Sequence, residues 1–361
     1  MMNDLTSLFT RVVELAAEYR TLLLFFACVG LGAAGAWLIA GMAFREHLLD
    51  TPNERSSHTV PTPRGGGVGI LAAFIMAGLT LRIPTTFLFA AILISAVSFY
   101  GDYIRISVKF RLAFQVLSAL MLLFPLLPRL SAQYSLSGFG VSPFPFLLIL
   151  VAIFIFLIGT ANFYNFMDGI NGIAGLSGAI GFGLLGLYSL YRPNPDPFQI
   201  PLSLLSICIA LACVGYLPFN VPRARVFMGD VGSILLGFVF AGLVVTLARN
   251  YLEMACLAAF LFPFYADELT TMVVRLRERE NLTRSHRRHL YQLLVNELGI
   301  VHWKISAAYA VAQLTIGAGA LIVYPYGVRA VLTFLAICFA GFALLTAKVR
   351  KRANKRGAPL V

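Results

Sequence analysis

The sequence predicts an all-α, polytopic membrane helix bundle, and three observations predict it. Of 361 residues, 59% are hydrophobic and only 12% are charged. Mean hydropathy is +0.83. The apolar residues fall in continuous runs close to the roughly 20 residues that a helix needs to cross a bilayer. A soluble domain has no use for so much apolar surface. Barrel strands would be shorter and would alternate.

Taken in order, residues 1–20 come first. Leu5, Leu8, Phe9, Val12, Leu15 and Ala16 follow helical spacing among charged residues, which predicts an amphipathic surface helix. A cleaved signal is not expected, because the apolar run that follows is too long for a signal core. About eleven spans are predicted, near 21–43, 66–82, 84–100, 111–130, 144–161, 171–191, 201–218, 231–248, 250–266, 305–325 and 327–348. The shortest are 66–82 and 250–266. Residues 21–348 thus form one membrane domain, with a basic tail at 349–361. The five cysteines lie inside spans without a CxxC pair and are expected to be packing residues. No internal repeat is visible.

Net charge is +12, and its placement orients the chain. One side receives seven of the 28 Lys and Arg (Arg11, Arg20, Arg82, Arg129, Arg192, Arg249 and Arg329), and the other receives 21. The positive-inside rule then puts the N-terminus outside and the C-terminus in the cytoplasm. The predicted cytoplasmic loops are 44–65, 101–110, 162–170, 219–230 and 267–304. Every unusual polar motif falls in or beside one of them, while the outer loops carry nothing comparable.

The most informative motif is Asn162-Phe-Tyr-Asn165-Phe-Met-Asp168-Gly-Ile-Asn171-Gly. Carboxylates and carboxamides at a bilayer edge are costly to keep, so they point to a functional site. At a spacing of three, each step drifts about 60° around a helix. Asn162, Asn165 and Asp168 can therefore share one broad face, and Asn171 joins them if the helix breaks at Gly169. Helix capping is the competing reading. The second motif is Phe227-Met-Gly-Asp230-Val-Gly-Ser233. Asp230 begins a span, where a carboxylate is also a natural cap. A hard cation such as Mg²⁺ takes one or two carboxylates plus substrate phosphates, and Asp230 with Asp168 would supply them.

Three further segments accompany these. Arg64-Gly-Gly-Gly67, after Pro61-Thr-Pro63, reads as glycine-rich backbone for an anion, with Arg55, His58 and Arg64 as cations. His286-Arg287-Arg288-His289 suits a phosphorylated, sugar-bearing ligand. It lacks a third ligand for zinc. Asp102 is the one acid in a short basic loop with Arg105, Ser107, Lys109 and Arg111.

Together these ordered motifs resemble the bacterial polyprenyl-phosphate N-acetylhexosamine-1-phosphate transferases of glycosyltransferase family 4. That family includes the phospho-MurNAc-pentapeptide translocase and enzymes that initiate O-antigen. The resemblance covers about residues 45–348. It rests on Arg55-Ser-Ser-His58 with Pro61-Thr-Pro-Arg64-Gly-Gly-Gly67, Asn162-x-x-Asn165-x-x-Asp168-Gly, Asn220 with Phe227-Met-Gly-Asp230, and His286-Arg-Arg-His289. It implies attack of undecaprenyl phosphate on the β-phosphorus of a UDP-N-acetylamino sugar, at the inner membrane, releasing UMP. It also implies Mg²⁺, with Mn²⁺ as substitute. Asp230 matches the metal ligand and Asp168 the other essential carboxylate, and Asp102 joins them as the third catalytic acid. Asn220 and Phe227 match nucleoside contacts, while His286 and His289 shape the sugar end with Arg287 and Arg288. His58, Arg64, Asn162 and Asn165 complete the substrate set. Membrane lipids are expected partners, nucleic acid is not, and a homodimer is left open.

Two positions depart from the family pattern. The usual Asp-Asp pair reads Gly101-Asp102, and Asn171 stands where the peptidoglycan enzyme has an Asp that helps hold uracil; the resemblance implies that Asn171 is a substrate contact that can still hydrogen-bond an imide edge but brings no charge. The missing carboxylate is tolerable on physical grounds. A phosphate monoester has a second pKa near 6 and is largely a dianion at pH 7, so it needs little help from a base. The harder task is to bring two anions together, which cations accomplish. A transporter or flippase of an anionic lipid or nucleotide sugar is the alternative. It predicts polar residues through the midplane and on both faces.

Overall fold

The computed structural model describes the backbone of residues 2–42, 49–52, 57, 60–104, 106–136, 143–194, 196–281 and 286–355. Helices dominate it. They are α1 (Met2–Gly41), α2 (Val68–Thr80), α3 (Thr85–Tyr103), α4 (Val108–Leu123), α5 (Leu127–Leu136), α6 (Pro143–Met167), α7 (Ile173–Tyr191), α8 (Ile200–Tyr216), α9 (Asp230–Leu247), α10 (Tyr251–Ala258), α11 (Phe262–Arg277), α12 (Leu290–Gln292), α13 (His302–Val323) and α14 (Val328–Lys355). Two short strands, β1 (Leu49–Asp50) and β2 (Thr62–Pro63), pair antiparallel with Leu49 opposite Pro63. The expected all-α membrane bundle is borne out.

Among the described residues ten helices are long and apolar enough to cross a membrane. The eleventh expected span, 66–82, is α2, whose 13 residues extend only about 20 Å, against a hydrocarbon core of about 30 Å. The glycine run before it is a turn, with Gly67 at the N-cap of α2, and Pro84 caps the next helix. The span expected at 250–266 is longer than its hydropathy suggests. It runs from Tyr251 to Arg277 and breaks at a 3₁₀ turn, Ala259–Leu261, just before Pro263. Proline cannot donate the helical hydrogen bond there. Consequently Asp267 and Glu268, placed by sequence in a loop, lie buried inside α11. Likewise α6 continues to Met167, so Asn162 and Asn165 sit on its last turns rather than in a loop. The tail is helical to Lys355, with Val349, Arg350 and Ala353 buried. The side chains expected to form an amphipathic face at 1–16 lie outside the described ones.

Helix α9 is the axis, with nearly every residue buried, packed by α3, α6, α2 and α7. Small residues allow this closeness: a Cβ on Gly237 would sit 2.6 Å from the Thr160 carbonyl of α6. The same logic joins α7 to α8, where a Cβ on Gly186 would lie 2.7 Å from the Ser203 carbonyl.

One end of α9 holds a polar cluster that the sequence reading missed. Arg192 pairs with Glu253 at 2.9 Å, both almost fully buried. The Arg192 guanidinium also donates to Leu247 O (2.9 Å) and to Gln199. Tyr188 donates to Glu253 (2.9 Å), and Arg129 to Thr246 O (2.6 Å). Helix C-termini leave carbonyls without partners, and these cations satisfy those of α9. The cluster is therefore a cap.

Candidate active site

The other end of α9 faces a cleft of ≈ 250 Å³. Its walls come from separated stretches of chain: Asp50 and Arg64 from the N-terminal hairpin, Asp102 from α3, Asn165 and Asp168 from the end of α6, Asn220 and Phe227 before α9, Asp230 at its start, and Gln292 from α12. Seven of the expected site residues thus share one cleft.

The backbone at its centre is held by the glycine run. Phe227 N donates to Pro63 O (2.8 Å), Gly65 N and Gly66 N to Phe227 O (3.1 and 2.9 Å), and Gly67 N to Met228 O (2.9 Å). The expected anion nest is therefore corrected. Those N–H groups already have protein acceptors, and the glycines serve close approach, Gly67 packing on Gly232. Gly229, at φ 76, turns the chain into α9 with a conformation that favours glycine.

Asp230 is held from two sides. Arg111 Nη1 lies 2.5 Å from its Oδ2, and Asn165 Nδ2 donates to its Oδ1 (2.8 Å) and to Ser233 Oγ (2.8 Å). Asp102 Oδ2 accepts from Val231 N (3.3 Å), so it caps the first turn of α9 from a different helix. Arg64 Nη2 donates to the Asp102 carbonyl at 2.7 Å. No hydrogen bond from the described residues reaches the Asp168 carboxylate. Burial, then the charges of Asp230 and Asp102, pushes that carboxyl well above the usual aspartate range.

Such a set of unlike-held carboxylates suits a hard divalent cation, which would relieve their repulsion. Among the described residues no group of three or more His, Cys, Asp or Glu is arranged to hold a metal. A cation at Asp168 and Asp230 would therefore take its other oxygens from substrate and water.

Asn220 accepts from Gly172 N (2.5 Å) and donates to Val226 O (2.9 Å), tying the α7 entry to the Phe227 strand. Asn171 sits in an adjoining chamber. The other expected residues among the described ones do not line the cleft. Asn162 forms a two-way amide clasp with Gln115 (2.8 and 3.2 Å), joining α6 to α4.

The histidine segment is a support rather than a wall. Its acidic partners on α11 draw it inward. His289 is buried, 3.7 Å from Asp267 and 3.4 Å from Glu268. Asp267 also accepts from Leu290 N (2.7 Å) and Tyr309 Oη (2.5 Å). Arg288 pairs with Glu278 and, at 2.6 Å, with Glu280, while Arg287 lies 3.7 Å from Glu297. The His286 ring lies tilted against that of His289, with centroids 4.8 Å apart. Burial, then the nearby His289 and arginine charges, lowers its pKa to about 3. The segment reaches the cleft indirectly: Tyr291 Oη donates to Phe166 O (3.0 Å) and packs on Gly169, beside Asp168. Arg55, His58 and Arg105 lie outside the described residues. Arg111, which sequence reading treated as a topology signal, and Asp50 and Gln292 are the site residues it missed.

Comparison with known proteins agrees with this architecture. The model of glycosyl transferase family 4 matches residues 84–248, from α3 through the end of α9. The chain is 26% identical to the decaprenyl-phosphate N-acetylglucosaminephosphotransferase of Mycobacterium leprae, covering 91% of this chain and 92% of that protein. It is also 26% identical to the enzyme of that name from Mycolicibacterium smegmatis, covering 90% and 89%. Over 81 residues it is 38% identical to the phospho-N-acetylmuramoyl-pentapeptide-transferase of Mycobacterium bovis, covering 22% and 21%. The resemblance read from the motifs is borne out: the glycosyl transferase family 4 model matches residues 84–248 of this multi-pass membrane protein, and relatives along nearly its whole length are polyprenyl-phosphate sugar-phosphate transferases by name.

Proposed function

We propose that the chain is a Mg²⁺-dependent transferase that moves a sugar-1-phosphate from a UDP-N-acetylamino sugar to a polyprenyl phosphate such as undecaprenyl phosphate. The observation that carries this is the convergence of Asp102, Asp168 and Asp230 with Arg64 in one cleft of an otherwise apolar bundle, with Arg111 paired to Asp230. An oxygen of the lipid phosphate forms a bond to the β-phosphorus of the donor. The bond from that phosphorus to the bridging oxygen breaks, and UMP leaves with that oxygen. The lipid phosphate, already a dianion, needs no proton removed. When bound at Asp168 and Asp230, the cation supplies charge neutralisation between the phosphates. Asn165 orients Asp230, Asp102 fixes the start of α9, and Arg64 and Arg111 add positive charge. Phe227 offers a ring face at the nucleoside end.

The names of the curated relatives favour N-acetylglucosamine as the sugar. Charge asymmetry favours a cytoplasmic site in a bacterial inner membrane, where the product would begin a surface glycan such as O-antigen. The polar cluster at the far end of α9 does not revive a transport reading, since its groups bind α9 carbonyls and one another. The test is UMP release in detergent from UDP-N-acetylglucosamine and undecaprenyl phosphate, with and without Mg²⁺. Release that needs lipid and metal supports the reading. Its absence across a panel of UDP-sugars overturns it.

A further inference from the structure

The three carboxylates of the cleft are held in unequal ways. Asp230 has a side-chain partner on each oxygen, Asn165 and Arg111, and Asp102 accepts from the backbone of α9. The Asp168 carboxylate receives no hydrogen bond from the described residues, so its place is set by its backbone. That backbone leaves α6 at Met167 and passes through Asp168 and Gly169 without helical bonding. Asp168 N donates to Asn165 O at 3.1 Å. From the other side comes Tyr291, fully buried, whose Oη donates to Phe166 O at 3.0 Å. The last carbonyls of a helix have no donor within it, and this hydroxyl supplies one. The same Oη fills the space over Gly169, where a Cβ would sit 2.2 Å from it. One side chain thus braces the backbone before and after Asp168.

Tyr291 is itself held firmly. Asp267 on α11, with no exposed surface, accepts from Leu290 N (2.7 Å), Tyr291 N (3.3 Å) and Tyr309 Oη (2.5 Å). The His289 ring stacks on Tyr291, with centroids 5.6 Å apart and 11° between planes, and Tyr309 meets it edge-on at 6.5 Å. A buried acid on one helix therefore fixes a hydroxyl that sits behind the cleft wall.

We propose that Tyr291, held by Asp267, is a positioning residue for the divalent cation: it sets where the Asp168 carboxylate stands relative to Asp230, and so sets metal affinity. Tyr291 is not itself a wall of the cleft. It acts through the Phe166–Gly169 backbone, which carries the one carboxylate that no side chain steadies. Groups behind metal ligands typically carry about 10–100-fold in affinity, because they decide whether separate ligands can reach one ion. This inference rests on the Mg²⁺-dependent reading above and adds residues that touch neither metal nor substrate.

The test measures Mn²⁺ binding by electron paramagnetic resonance to the full-length protein in detergent, with UDP present to supply phosphate oxygens. Wild type is compared with Tyr291→Phe, Gly169→Ala and the double variant. Tyr291→Phe keeps the ring and removes only the hydroxyl. It should weaken Mn²⁺ by at least about tenfold and raise the Mg²⁺ concentration for half-maximal turnover by a similar factor. Metal-free UMP binding should stay at the wild-type value. Gly169→Ala drives a methyl group against the hydroxyl and should also weaken Mn²⁺, which keeps the test open if Tyr291→Phe fails to fold. Since both act through one contact, the double variant should lose less than the product of the single losses. A lower thermal midpoint with unchanged Mn²⁺ affinity in the folded variants would make Tyr291 merely structural and overturn the inference alone. Single losses that multiply independently in the double variant would do the same. A wild type that transfers sugar phosphate without any divalent cation overturns the metal reading, and this inference with it.

Discussion

Arg111 and Asp230 are 119 positions apart in sequence, yet the guanidinium Nη1 lies 2.5 Å from the carboxylate Oδ2. Both side chains are partly open to the cleft, 36% and 25% exposed, so the pair matters for catalysis more than for stability. Asp230→Asn should fold normally and lose at least about 10²-fold in turnover at saturating Mg²⁺. Arg111→Ala should also slow turnover. If the two act as a unit, the double variant will lose less than the product of the single losses. UMP-release kinetics on the four proteins measure this, and near wild-type turnover by Asp230→Asn would leave it as a helix cap.

Asp102 accepts from Val231 N, a contact that an asparagine oxygen can reproduce. Asp102→Asn should therefore reduce the rate without abolishing it, and Asp102→Ala should cost more. In wild type and Asp102→Asn alike, the rate should fall with pH near the lipid phosphate pKa of about 6. Complete inactivity of Asp102→Asn with intact substrate binding would make Asp102 the base and contradict the dianion argument. The sequence resemblance implies a pair of acids where the protein has Gly101-Asp102, and the protein is expected to be active as it stands.

His286 supplies a pH dependence of stability rather than of catalysis. Burial, His289 and the surrounding arginines depress its pKa to about 3. Between that value and the usual histidine range the unfolded chain binds the proton and the folded chain does not. Stability is thus present above about pH 6.5 and is lost as pH falls toward the folded value. The thermal midpoint should drop on acidification, and His286→Gln should flatten that drop. An unchanged acid slope in the variant would place the titration elsewhere.

At the far end of α9 the Arg192–Glu253 pair is buried at 1% and 2% exposure. Removing one partner strands the other charge, a loss of roughly 3–5 kcal/mol. Glu253→Ala should lower the thermal midpoint clearly, while the folded fraction keeps wild-type kcat and KM. Kinetics altered before any loss of stability would mean the cluster communicates with the cleft.

Much of this was legible in the sequence, because a bilayer forces apolar residues into runs and leaves polar motifs conspicuous. Asp168 and Asp230 stand out for that reason, and both line the cleft. What sequence hid was partnership across distance. Arg111 looked like one more topology charge, since nothing local shows that it meets α9. The Gly65–Gly67 run looked like an anion cradle, since nothing local shows Phe227 and Met228 accepting from it. The His286–His289 segment looked like a wall for the sugar end of a ligand, although Asp267 and Glu268 in an apolar stretch were a signal that buried counter-charges awaited it. Asn162 looked equivalent to Asn165, but helical drift turns it to Gln115.

The central claim is that the β-phosphorus of the donor moves to the lipid together with the sugar. The most direct measurement uses UDP-N-acetylglucosamine labelled at the β-phosphorus, with undecaprenyl phosphate, Mg²⁺ and the purified protein. The account predicts label in the lipid product and unlabelled UMP in equal amount. Label leaving in UDP, with only sugar on the lipid, would contradict it.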